Sequence, residues 1–233
     1  MKLFFIILFL FSICSGNGQI DSVSKSSKDS TDLFSTQHFS SKKNYLPVDG
    51  ILLNDNVNSS HYLLDKWVKG SVVTANNVVI ENDSFLFNYD KISNNLLLTV
   101  DAKRIIEIDK REFKAFTLID GGEEYHFEHV LAVNNKNFFQ VLVKNDKYSL
   151  YKLTFTKLRR SEVFFNFGGF VDSYFYYVVF PGGRLYKRVD LKKKSIQKNL
   201  VLEPDKVDEY FAAHPYNEVD EALLIDLIKN LNK

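Results

Sequence analysis

Phe138-Phe139-Gln140-Val141-Leu142-Val143-Lys144-Asn145-Asp146-Lys147-Tyr148-Ser149-Leu150-Tyr151-Lys152-Leu153-Thr154-Phe155-Thr156-Lys157-Leu158 decides the fold. Two runs rich in aromatic and branched residues meet across Asn145-Asp146, a pair that suits a tight turn, so the stretch predicts a β-hairpin. The same texture extends upstream. Ser71–Thr74 and Val78–Ile80 flank Asn76-Asn77, and Phe85–Tyr89, Leu96–Val100, Ile105–Ile108, Phe113–Ile119 and Tyr125–Val130 follow, with Asn94-Asn95 and Asp120-Gly121-Gly122 as turns. Downstream, Tyr174–Phe180 and Arg184–Val189 surround Pro181-Gly182-Gly183. About ten closely spaced strands without intervening helical patterns predict antiparallel sheets in a β-sandwich or open β-barrel.

The last part of the chain has a different period. Leu191–Leu200 predicts a short helix, and Pro204 suits the first turn of a second one ending near Ala213. Asn217 is the expected cap of a third, which carries Val219, Leu223, Leu224, Leu227, Ile228 and Leu231 on one stripe. The fold class is therefore mainly β with an α tail, the two or three C-terminal helices packing on the β body.

The amino terminus predicts export. Lys2 precedes the apolar run Leu3–Ile13, and Gly16-Asn17-Gly18 supplies small residues for a peptidase. That run falls short of the about 20 apolar residues a membrane span needs. Lipid attachment at Cys14 is disfavoured because Ile13, a large residue, stands directly before it. The expected organisation is a signal peptide over 1–18, a disordered Ser-rich leader over 19–45, a β-rich domain over 46–190 and a helical segment over 191–233. Cleavage after Gly18 would remove Lys2 from the 30 basic residues, leaving 29 against 29 acids, and would remove the single cysteine. Disulfides, thiolate nucleophiles and Cys-ligated metals are then excluded, and a balanced charge gives no field for gathering nucleic acid. The expected location is secreted or periplasmic.

No phosphate-cradling Gly loop, nucleophile elbow or His-Glu-x-x-His occurs, so no catalytic residue and no cofactor is assigned. His126 and His129 cannot share an ion, because strand residues three apart point to opposite faces, whereas Glu124, His126 and Glu128 share one. Asn54–Asn58 with Asp65 offers alternate oxygen ligands but lacks the acids and the sixth-position Gly of a calcium loop. Phe164–Phe180 is dense in aromatic residues. Tyr174 and Tyr176 are expected on one face and Phe175 and Tyr177 on the other, as in a strand covered on both sides. Tyr174, Tyr176 and Tyr177 are also the candidates for a platform under a sugar or lipid. Arg184–Lys198 is basic and Glu203–Asp226 acidic; Lys192, Lys193 and Lys194 are the candidate anion-binding residues.

Several segments carry a resemblance. Tyr62-Leu63-Leu64-Asp65-Lys66-Trp67-Val68-Lys69-Gly70-Ser71-Val72, then Leu86-Phe87-Asn88-Tyr89-Asp90, the pair Phe138–Val143 and Tyr148–Lys152, and Lys192-Lys193-Lys194-Ser195 leading into helices are similar to a family of uncharacterised secreted proteins common in Bacteroidetes. The resemblance implies an envelope location and a β-then-α layout, and it implies no activity or site.

Three functions are consistent with these features. The leading one is a non-catalytic binding or assembly module of the cell envelope, with polysaccharide, lipid or another envelope protein as partner and no nucleic acid. A β-barrel carrier of an apolar ligand would need an interior cavity. A hydrolase of envelope polymers would need two carboxylates converging on a cleft.

Overall fold

The computed structural model describes residues 61–160, 167–215 and 218–233. The expected signal and leader segments, the Asn54–Asn58 loop, residues 164–166 of the aromatic-dense run and Asn217 lie outside the described residues. Within them the chain forms eleven strands and three helices. The strands are β1 (Lys69–Thr74), β2 (Val79–Glu81), β3 (Leu86–Asp90), β4 (Asn95–Thr99), β5 (Ile105–Glu107), β6 (Phe113–Asp120), β7 (Glu123–Val130), β8 (Asn134–Val143), β9 (Ser149–Arg160), β10 (Phe167–Val179) and β11 (Tyr186–Val189). The helices are α1 (Lys193–Asn199), α2 (Pro204–Ala213) and α3 (Glu221–Leu231).

The strands make two antiparallel sheets of unequal size. The large one has the order β11-β10-β9-β8-β7-β6-β1-β2, and the small one the order β3-β4-β5. From β6 to β11 the large sheet is a meander, each strand beside its sequence neighbour. Its turns follow local chemistry: at the β6–β7 turn Gly121 and Gly122 have φ of 60° and 92°, the left-handed pair that a tight hairpin turn requires.

Gly70 is where the chain changes sheets. Just before it, Val68 exchanges backbone hydrogen bonds of 3.0 and 2.7 Å with Phe87 of β3. Just after it, Ser71 pairs with Thr117 of β6. A Cβ on residue 70 would lie 2.2 Å from the Thr117 carbonyl oxygen, so only glycine fits this corner.

Residues directly opposite in a ladder share a face, and the register therefore puts Val72, Phe116, Phe127, Phe138, Leu150, Tyr176 and Val178 on one side of the large sheet. Two covers divide this inner face. The small sheet packs over β1 and β6–β8, where Phe87, Tyr89, Leu96 and Leu98 meet Phe113, Phe116, Phe127 and Phe138. Rings fill that interior: Phe113 stacks on Phe138 at 4.8 Å between centroids, and Phe116 on Phe127 at 4.7 Å. The helices cover the other end, burying Ile196, Val207, Phe211, Leu224, Leu227 and Ile228 against Leu150, Tyr176, Val178 and Val189. Helix α3 is capped by Asp220, whose carboxylate accepts the Leu223 amide hydrogen at 2.8 Å; the cap falls three residues later than the expected Asn217.

Among the described residues no ion pair joins the acidic tail to the basic block, although Gln197 of α1 donates to Asp208 of α2 at 2.7 Å. Glu203 pairs with Lys147 at 2.7 Å and Glu221 with Lys152 at 2.7 Å, so these acids fix the helices to the β body. On the outer face of the large sheet, Phe139, Tyr151, Leu153 and Val179 are buried while Phe175 and Tyr177 are partly exposed. Cations shield these rings: the Arg188 guanidinium sits 4.3 Å above Phe175, and Lys144 lies 5.3 Å from the Tyr151 centroid. Strand β10 is thus covered on its inner face at Tyr176 and Val178 and only partly screened on its outer one.

Candidate functional site

Between the two covers the inner face carries a polar seam. Apolar residues give way there to Lys152, Thr154 and Thr156 on β9 and to Asp172 and Tyr174 on β10, with Thr154 opposite Tyr174 and Thr156 opposite Asp172. From the helical side, Glu221 accepts from the Tyr176 hydroxyl at 2.7 Å and pairs with Lys152. From the small sheet, Lys91 reaches Asp172 at 2.8 Å with only 8% of its side chain exposed. Thr156 donates to the other Asp172 oxygen.

Tyr174 stands in the middle, 50% exposed. The Lys152 ammonium lies 4.6 Å from its ring centroid, and Asp172 stands two residues before Tyr174 on the same face. Burial, then the charges of Asp172 and Glu221, raise its pKa, so the phenol keeps its proton. At Asp172 burial pulls the carboxyl up, but the hydrogen bonds from Lys91 and Thr156 outweigh it and hold the pKa below its ordinary value. Both seam carboxylates are thereby tied to lysines. A general acid needs the opposite treatment, a carboxyl whose neutral form is favoured.

One end of the seam runs into further rings. His61 lies 5.6 Å from Phe170 and 3.9 Å from Tyr62, and Tyr62 lies 6.0 Å from Trp67, all partly exposed. Burial, with Lys91 adding to it and Asp90 opposing, lowers the His61 pKa and favours the neutral ring. Flat faces beside hydrogen-bonding and charged groups are what a sugar chain stacks on.

The chain matches no protein family, no curated protein and no solved structure.

The three tyrosines singled out in the sequence separate. Tyr174 and Tyr176 share the inner face, and Tyr177 lies on the outer one beside Phe139. Tyr176 is 4% exposed beneath the helices, which leaves Tyr174 as the accessible member of the inner pair. Lys192, Lys193 and Lys194 are exposed around the start of α1, with Lys193 5.3 Å from the Phe211 ring; they do not enter the seam. On β7, Glu124 and His126 pair at 3.1 Å on the outer face, while His129 packs on Phe138 at 3.8 Å. No group of three potential metal ligands occurs among the described residues. Sequence reasoning missed Lys91, His61 and Trp67 as seam residues. The single tryptophan of the chain, in the same short segment as His61 and Tyr62, was the available signal.

Proposed function

We propose that the protein is an exported, non-catalytic binding module of the cell envelope that holds a polysaccharide along the seam. The observation that carries this is Tyr174, a half-exposed ring between the two covers that the Lys152 ammonium contacts at 4.6 Å from its centroid. A ring already held by such a contact loses less freedom on binding than an unrestrained one, so more of the stacking energy is kept. The row from Phe170 to Trp67 extends the aromatic surface beyond a single sugar unit.

Export is supported by the Leu3–Ile13 run and the small residues after it. Binding is favoured over hydrolysis because both seam carboxylates are occupied by lysines. It is favoured over carriage of an apolar ligand because the space between the sheets is packed with rings. Affinity electrophoresis through gels containing xylan, mannan or dextran, with sedimentation on insoluble peptidoglycan, tests the proposal. Retention on at least one of these without release of reducing ends is expected. Steady release of reducing ends would make the protein a hydrolase, and absence of retention on all four would remove the polysaccharide.

A further inference from the structure

A second surface, separate from the seam, lies at one end of the large sheet. The β5–β6 connection, the start of β6 and the β7–β8 turn enclose a groove of about 770 Å³. Phe113 and Ala115 lie among its apolar lining, and Lys114 and Lys136 supply cations around it, with Lys110 and an Arg111 ion-paired to Asp109 beside them. Glu128 is the one acid lining it, and that carboxylate is already bound by Lys144 and by the Tyr151 hydroxyl. Lys110 donates to the Ser93 and Lys136 carbonyls at 3.0 and 3.3 Å, so its ammonium ties the β3–β4 turn to the start of β8 and leaves Lys114 and Lys136 to face the groove.

The flanks of the groove are aliphatic and exposed. Leu131, at the tip of the β7–β8 turn, is 81% exposed, and Val78, in the neighbouring β1–β2 turn, is 46% exposed. Lys114 donates to Asn77 of that same turn, which places the two tips around one cationic groove. A soluble polyanion would use the cations and leave the aliphatic tips in water. A lipid surface uses both, apolar tips entering the interface while lysines and arginines meet the headgroups.

We propose that this end of the sheet docks on an anionic lipid bilayer, with Leu131 and Val78 inserted and Lys114 and Lys136 against the phosphates. The surface uses different residues from the seam, so either assignment stands without the other. Together they would hold a polysaccharide-binding face close to a membrane.

Sedimentation of the full chain with vesicles of phosphatidylcholine, with or without phosphatidylglycerol, tests the docking. Lys114→Gln, Lys136→Gln and Leu131→Ser leave the buried core untouched. Binding is expected only with phosphatidylglycerol present and is expected to weaken with salt. Each lysine replacement should lower the partition coefficient by about fivefold. Leu131→Ser should also lower it, while dextran sulfate binding, if any, stays as it was. No sedimentation with the anionic vesicles would overturn the proposal. Binding indifferent to salt and to all three substitutions would assign it to the Leu3–Ile13 run instead, and a preference for dextran sulfate over vesicles would assign the groove to a soluble polymer.

Discussion

Asn232 and Tyr148 exchange a pair of hydrogen bonds across 84 residues of chain: the Asn232 carboxamide accepts the Tyr148 amide hydrogen at 2.9 Å and donates to the Tyr148 carbonyl at 2.9 Å. A side chain here imitates the next rung of a ladder and ties the end of α3 to the start of β9. Lys147 adds a bond to the Leu231 carbonyl at 2.6 Å. The helical cover is therefore fixed at its last turn as well as along its apolar stripe. Asn232→Ala leaves the buried Tyr148 backbone unpaired and should cost about 1–3 kcal/mol. Asn232→Asp keeps the acceptor but sets an oxygen against the Tyr148 carbonyl, and it should also destabilise. Urea unfolding midpoints check both, and an unchanged midpoint would remove this tie from the account.

Gly70→Ala tests the corner between the sheets. The added Cβ cannot remain 2.2 Å from a backbone oxygen, so β1 must shift away from β6 or from β3. Destabilisation of about 3 kcal/mol is expected, at the upper end for an overpacked site. Gly121→Ala meets no nearby atom and disturbs only its own turn, whose φ of 60° costs an alanine about 1 kcal/mol. Thermal unfolding of the two variants should rank them in that order.

Glu203 sets the acid limb of stability. Contacts with the Lys147 and Lys206 ammonium groups at 2.7 and 2.6 Å, the strongest influences on it, bring its pKa from 4.5 down to about 2. A carboxyl with a depressed folded pKa stabilises the protein above its unfolded value and loses that contribution as pH falls toward the folded one. The Glu203 contribution is accordingly complete above pH 4.5 and lost on descent to about 2. Glu203→Gln should flatten the stability profile across that window. Lys147→Gln should move the Glu203 titration upward in pH, which carboxyl chemical shifts read directly.

Much of the fold was legible because it is local. Asn145-Asp146 and Gly121-Gly122 announce hairpins by the backbone they tolerate, and the meander from β6 to β11 follows from pairing each strand with the next. Pro204 and the stripe ending at Leu231 announced two helices in the same way. Which strands leave the large sheet was not legible, because strands β3 to β5 have the same composition as their neighbours. What separates them is the turn of the chain at Gly70, whose reason, the Thr117 carbonyl, lies far away in sequence. The seam divides likewise. Alternation along β10 put Tyr174 and Tyr176 on one face, but burial of Tyr176 depends on where α3 docks, and Lys91 joins Asp172 only because the small sheet covers the meander. Asp220 caps α3 in preference to an upstream asparagine, a choice between similar polar residues that local sequence leaves open.

The split between Tyr174 and Tyr176 tests the central claim most directly. Tyr174→Ala removes an exposed ring, whereas Tyr176→Phe removes only the hydroxyl held by Glu221 beneath the helices. With the polysaccharide that retains the wild-type chain, Tyr174→Ala should lower affinity by about tenfold or more with an unchanged unfolding midpoint. Tyr176→Phe should do the reverse, lowering stability by about 1.5–3 kcal/mol with affinity unchanged. Equal affinity for the wild type and Tyr174→Ala would contradict the account.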